Sequence, residues 1–109
     1  MIASPAVTIR AFRGARGSSV YREHVVSGAV FTRILAAGKQ RELAALASLD
    51  SIGAHEVDKR EARQLADEVG LLRERSELPD LDGDLTAFAF VARWCARASG
   101  KAWLTIEER

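Results

Sequence analysis

Side chains able to do covalent or metal chemistry are few: one cysteine, Cys95, and two histidines, His24 and His55. A cysteine with a histidine base is the minimum for thiol catalysis, because the thiolate is the attacking species. Cys95, however, falls in register with Leu85, Phe88 and Ala92 on an apolar stripe at helical spacing. A thiol buried on such a stripe has a raised pKa and is inert, and unpaired cysteines are commonly buried. No serine sits in the glycine-flanked elbow Gly-x-Ser-x-Gly. Asp50, His55, Glu56 and Asp58 lie close enough in sequence to offer a metal oxygen and nitrogen ligands from one loop. No His-x-x-x-His or Glu-x-x-His spacing supports them, one cysteine cannot make a multi-cysteine zinc site, and Asp58 is placed to cap a helix. The expectation is no catalytic residue, no metal and no cofactor, in a protein that is not an enzyme.

Groups suited to binding are better represented. Arg10, Arg13, Arg16 and Arg22 surround the stretch Arg-Gly-Ala-Arg-Gly-Ser-Ser at 13–19, where glycines permit close backbone approach. The lysine and the Ser/Thr that a nucleotide P-loop needs after its glycines are missing. Only Phe12 and Tyr21 are interleaved with these arginines, so nucleic-acid binding stands as the alternative, and a solvated loop as the plainest reading. Farther on, Glu77, Asp80, Asp82 and Asp84 put four acids within eight residues. A helix N-terminus beside them favours one or two, and the nearest base is Arg75. Acids without local partners raise the association rate with a basic partner. Against this stands a fold-back of Arg10, Arg13 or Arg16 that neutralises the turn. Thr86, Phe90, Arg93 and Arg97 share the polar face of the last helix, with Phe90 the odd apolar member. Trp103 points away from Ala102, Leu104 and Ile106 unless the Tyr21 segment covers it. Tryptophan and arginine are typical interface anchors.

These residues must be carried by recognisable elements. Ala6 to Arg13 alternates Val7, Ile9 and Ala11 against Thr8, Arg10 and Phe12, and Lys101 to Glu107 alternates again, so each reads as a strand with one buried face. Between them the spacing turns helical. Ser27 is placed as the N-cap of a helix carrying Val30, Phe31, Ile34 and Leu35, which Gly38 ends or bends. A short helix over Gln40–Leu49 follows, then a connection over Asp50–Val57. Asp58 and Glu61 have the residue types of a capping box ahead of Leu65, Val69 and Leu72. Gly70 interrupts that helix at a cost of about 1 kcal/mol relative to alanine. A last helix runs from Asp84 or Leu85 to Ala98, with Gly100 placed as its C-terminal cap. The predicted fold is α+β: about four helices packed on a two-stranded sheet formed by the N- and C-terminal strands. Two strands alone are marginal in water, so the helices must cover them.

Whole-chain quantities narrow the setting. With 109 residues, 48% of them hydrophobic and 28% charged, the chain reads as one domain able to bury a core. No apolar run approaches the ~20 residues that span a bilayer. The first ten residues lack a basic start and a long apolar stretch, so no secretory signal is expected and a cytoplasmic location is. The net charge of +1 hides a split. Residues 1–41 carry seven bases against Glu23, and residues 42–109 carry nine bases against fourteen acids. Such a split steers a partner to one end, or is consumed by the halves packing together.

The stretch from Leu46 to Val57, followed by Gln64-Leu65-Ala-Asp-Glu68-Val-Gly-Leu-Leu72, resembles a family of small actinobacterial proteins. In that family an Asp-Pro-Tyr-Gly-Asp-Thr loop precedes a helix with a Gln-x-x-x-Leu-x-x-Glu-Leu pattern. A helix rich in Arg and Cys and a strand containing Trp or Tyr then close the chain, as Ala92 to Ile106 does here. The chain departs from the pattern at Ser51, Ile52 and Ala54. The resemblance spans residues 27–107; it implies the architecture and no chemistry. The functional expectation is therefore a small protein-binding module of the immunity or antitoxin type, which neutralises a toxin or basic enzyme through Glu77, Asp80, Asp82, Asp84, Phe90 and Trp103. A nucleic-acid-binding or regulatory protein using Arg10, Arg13, Arg16 and Arg22 is the alternative, and no membrane partner is expected.

Overall fold

The computed structural model describes residues 6–13, 20–49 and 55–108. Its elements run β1 (Ala6–Arg13), β2 (Val20–Ser27), α1 (Gly28–Gln40), α2 (Ala44–Ala47), β3 (His55–Asp58), α3 (Lys59–Glu74), a 3₁₀ turn (Pro79–Leu81), α4 (Asp82–Arg97) and β4 (Ala102–Glu108). The fold is α+β. Its terminal strands pair antiparallel as expected, with Ile9 opposite Ile106 and Ala11 opposite Leu104. They form the centre of a four-stranded antiparallel sheet of order β2-β1-β4-β3, however, and the expected two-stranded sheet is corrected by one strand on each edge. Residues 55–57, read as part of a connection, belong to β3.

The edge strands escape a periodicity reading for physical reasons. On β2 the positions facing the helices are Arg22, His24 and Val26, opposite Ala11, Ile9 and Val7. Two of the three are polar, so no apolar alternation marks the strand. β3 has four residues and runs straight into α3. Its last residue, Asp58, is also the helix cap, its Oδ1 accepting the Glu61 N–H at 2.8 Å.

Helices cover one face of the sheet and supply most of the core. Ser27 caps α1, its Oγ accepting from the Val30 N–H at 3.1 Å. Phe31, Ile34 and Leu35 of α1, Leu65, Val69 and Leu72 of α3, and Leu85, Phe88, Ala92 and Cys95 of α4 are all buried in one core cluster with Ile9, Leu104 and Ile106. α3 and α4 form an antiparallel pair: Arg73 near the end of one meets Asp82 at the start of the other, and Arg63 lies near Arg97. Gly70 leaves α3 unbroken, and α4 begins at Asp82, just after the 3₁₀ turn.

Three glycine and helix-end expectations change. α1 continues past Gly38 to Gln40. The glycine is needed for contact instead: a Cβ there would lie 2.6 Å from the Leu46 Cβ, so the one-turn α2 packs directly on the α1 backbone. α4 ends at Arg97, and Gly100, at φ +74°, turns the chain into β4 rather than capping the helix. Lys59 holds that turn, donating to the Ala98 and Gly100 carbonyls at 2.6 and 2.9 Å. The helix expected over 40–49 is a single turn. Its N-terminal N–H groups are met by Glu68, a buried side chain accepting from Ala45 and Leu46 at 3.1 and 2.9 Å and from the Gln64 amide at 2.9 Å.

Candidate functional site

Each acid of the 77–84 turn finds a base from a different part of the chain. Asp80 accepts from both terminal nitrogens of Arg33 on α1, at 2.6 and 3.1 Å. Those hydrogen bonds hold its carboxyl below the usual carboxylate range and raise the Arg33 pKa. Asp82 accepts from Arg73 Nε of α3 at 2.9 Å, Asp84 meets His24 Nε2 of β2 at 3.2 Å, and Glu77 pairs with Arg41 at the end of α1. The premise of unpartnered acids is thus corrected. Arg33, Arg41 and His24 lie far away in sequence and are brought in by tertiary folding, whereas Arg73 is nine residues from Asp82. Arg10 and Arg13 are not among these bases, and Arg16 lies outside the described residues. The turn works as an electrostatic clasp between α1, β2 and α3, built of largely solvent-exposed pairs that salt screens.

The described N-terminal arginines divide between the two faces of the sheet, Arg10 on one and Arg13 and Arg22 on the other. Arg10 pairs with Glu23 Oε2 at 2.9 Å across the β1–β2 ladder, on the face away from the helices. Arg13 donates to Ser99 Oγ at 2.7 Å, beside the end of α4. The Arg22 guanidinium lies 5.9 Å from the Phe90 ring centroid and 5.8 Å from that of Trp94, both on α4. Arg16, Asp50 and the Tyr21 side chain lie outside the described residues.

Phe90 and Trp103 are separated too. Trp103 is half-buried on the outer face of the sheet, stacked on Phe12 with centroids 5.4 Å apart and planes 8° from parallel. Phe90 is 56% exposed on α4, on the helical side. The two cannot anchor a single partner surface.

What the fold does bring together is a cleft of about 920 Å³ along α3, α4 and the end of β1. Ligand pockets span roughly 300–1,000 Å³. Arg13, Arg73, Arg93 and Arg97 line it, against the acids Glu74 and Asp82, so positive charge exceeds negative by two. Phe90 and Trp94 supply aromatic surface, and Gly70 and Ala89 supply small residues. Arg93 and Arg97 stand one turn apart and, like Glu74, have no ion-pair or hydrogen-bond partner among the described residues. The polar face of Thr86, Phe90, Arg93 and Arg97 was legible from helical spacing. The contributions of Arg13, Arg73 and Trp94 were not, since each depends on how the elements pack. The cleft therefore takes Asp82 and Phe90 from one expected set and Arg13 from the other, with Arg22 alongside.

Chemistry elsewhere is muted. Cys95 is fully buried, and burial pushes its thiol up to about 11. Among the described residues no three His, Cys, Asp or Glu side chains converge as a metal set would. No helix among them is long and apolar enough to cross a membrane. No family model, curated protein or solved structure matches the chain.

Proposed function

We propose that this protein is a binding module that captures an acidic segment of a partner protein in the α3–α4 cleft, and that it neutralises that partner in the manner of an immunity or antitoxin-type protein. The observation that carries the reading is the pair Arg93 and Arg97, uncommitted among the described residues and set beside the exposed Phe90. An arginine fork is shaped for carboxylates, and an exposed aromatic beside it gives the apolar half of a hot spot. Because the 77–84 acids are already engaged, a basic partner loses its main support and an acidic one gains it. Glu74 and Asp82 in the cleft favour a polypeptide, whose backbone N–H groups they can accept, over a uniformly charged polyphosphate.

Fluorescence anisotropy with short labelled peptides tests this. A Glu/Asp-rich peptide, a Lys-rich peptide and a single-stranded oligonucleotide are titrated with the wild type and with an Arg93→Glu/Arg97→Glu double variant at low and moderate salt. The acidic peptide binds, weakens as salt rises, and loses about tenfold or more in affinity on charge reversal. Tighter binding of the oligonucleotide would move the cleft to nucleic acid, for which the Arg22 contact with Phe90 and Trp94 is the favouring observation. Preference for the Lys-rich peptide would overturn the reading.

A further inference from the structure

Gly70 is a glycine that the fold itself does not need. It sits inside α3, four residues before the helix ends at Glu74, where glycine lowers helix stability relative to alanine. A Cβ at this position would meet no atom within 4 Å, in contrast to Gly38, where one would collide with Leu46. It has no positive φ to accommodate either. Its surroundings are the cleft, which it shares with Phe90 and Trp94 of the neighbouring helix. Glycine here keeps a space open and exposes a strip of backbone to whatever enters. That is one of the recognised uses of the residue: close approach of a ligand to the main chain.

We propose that the captured acidic segment carries one aromatic side chain, which seats over Gly70 against Phe90 and Trp94 while a carboxylate a few residues away is held by Arg93 and Arg97. This rests on the acidic-partner reading and adds the chemistry of the anchor. An aromatic ring fits better than an aliphatic chain because its face can lie against the Phe90 ring and against guanidinium planes from Arg73 or Arg93. The spacing also agrees. At 1.5 Å per residue, Arg93 and Arg97 lie about 4.5 and about 10.5 Å along α4 from Phe90. An extended segment advances about 3.3 Å per residue, so carboxylates roughly one to three residues from the anchor reach both arginines. Glu74, without a partner among the described residues, is available to accept a backbone N–H of the segment.

The test uses two acidic peptides identical except for a central tryptophan or alanine, measured by anisotropy against the wild type, Gly70→Ala and Gly70→Leu. Leucine is a good helix former, and its side chain fills the space over the helix. Wild type binds the tryptophan peptide about tenfold more tightly than the alanine peptide, the scale of one aromatic anchor. Gly70→Leu abolishes that preference, and Gly70→Ala raises the melting temperature while eroding it, which separates a filled cleft from a damaged fold. Equal binding of the two peptides to the wild type, or a tryptophan preference that survives Gly70→Leu, would overturn the anchor while leaving the acidic-partner reading in place. Failure of both peptides to bind would overturn the two together.

Discussion

Glu68 shows how one side chain can decide whether an element exists. α2 has four residues, too few to sustain a helical turn alone, since helix nucleation is unfavourable. Its leading N–H groups are met by a buried carboxylate from α3, and the seated turn puts Leu46, fully buried, against Gly38. Glu68→Ala leaves those donors unmet and is expected to cost about 2–3 kcal/mol, with Glu68→Gln losing less because one oxygen still accepts. Urea denaturation measures this; a loss under about 0.5 kcal/mol would show that α2 holds without the carboxylate. Cys95 gives a pH signature. Burial raises its folded pKa to about 11 from an ordinary 9.0. A group with a raised folded pKa contributes stability that is intact below the unfolded pKa and is lost as pH rises through the folded one. Stability should therefore fall between about pH 9 and 11, and Cys95→Ala should remove that slope from the denaturation profile. An identical slope in the variant would mean that other groups set it.

Helix ends and strand edges explain both what could be read from residue types and what could not. α1 and α3 finish alike: Leu43 N–H bonds to the Gly38 carbonyl and Glu42 N–H to that of Lys39, while Glu77 N–H bonds to Leu72 and Ser76 N–H to Arg73. These are Schellman motifs, which place one residue in left-handed backbone. Here that residue is Glu42 at φ 58° and Ser76 at φ 52°, where glycine is the usual occupant. Glu42→Gly and Ser76→Gly should each stabilise the fold by roughly 0.5–1 kcal/mol, read as a rise in melting temperature. A fall for either would mean its side chain holds the turn by a contact worth more than the backbone strain. The same motifs account for a misread boundary, because Gly38 looks like a terminator while the true left-handed positions carry Glu and Ser. Strong signals survived: the Ser27 and Asp58 caps, the α3 and α4 stripes, and the alternation of β1 and β4 all reflect local rules acting on apolar residues. β2 and β3 were hidden because their pairing is set by neighbours, with Arg22 and His24 occupying core-facing positions.

At the scale of the molecule, part of the charge split between the first 41 residues and the rest is met by pairing between the two parts. Arg33, Arg41 and His24 from the basic part meet Asp80, Glu77 and Asp84 from the acidic part. The acids expected to be open to a partner are engaged, because sequence proximity could not assign Arg33, Arg41 and His24 to them. Once those pairs are made, Arg93 and Arg97 remain beside Phe90 and an open glycine, and the cleft between α3 and α4 becomes the surface best suited to a partner. The sheet's outer face, with Phe12 stacked on Trp103, is the competing surface. Nuclear magnetic resonance of the labelled protein titrated with the tryptophan-bearing acidic peptide distinguishes them directly. Shifts concentrated at Gly70, Arg73, Phe90, Arg93, Trp94 and Arg97 are the predicted result. Shifts confined to Phe12, Trp103 and the outer face of the sheet, or to Glu77, Asp80 and Asp84, would contradict the assignment of the cleft as the binding site.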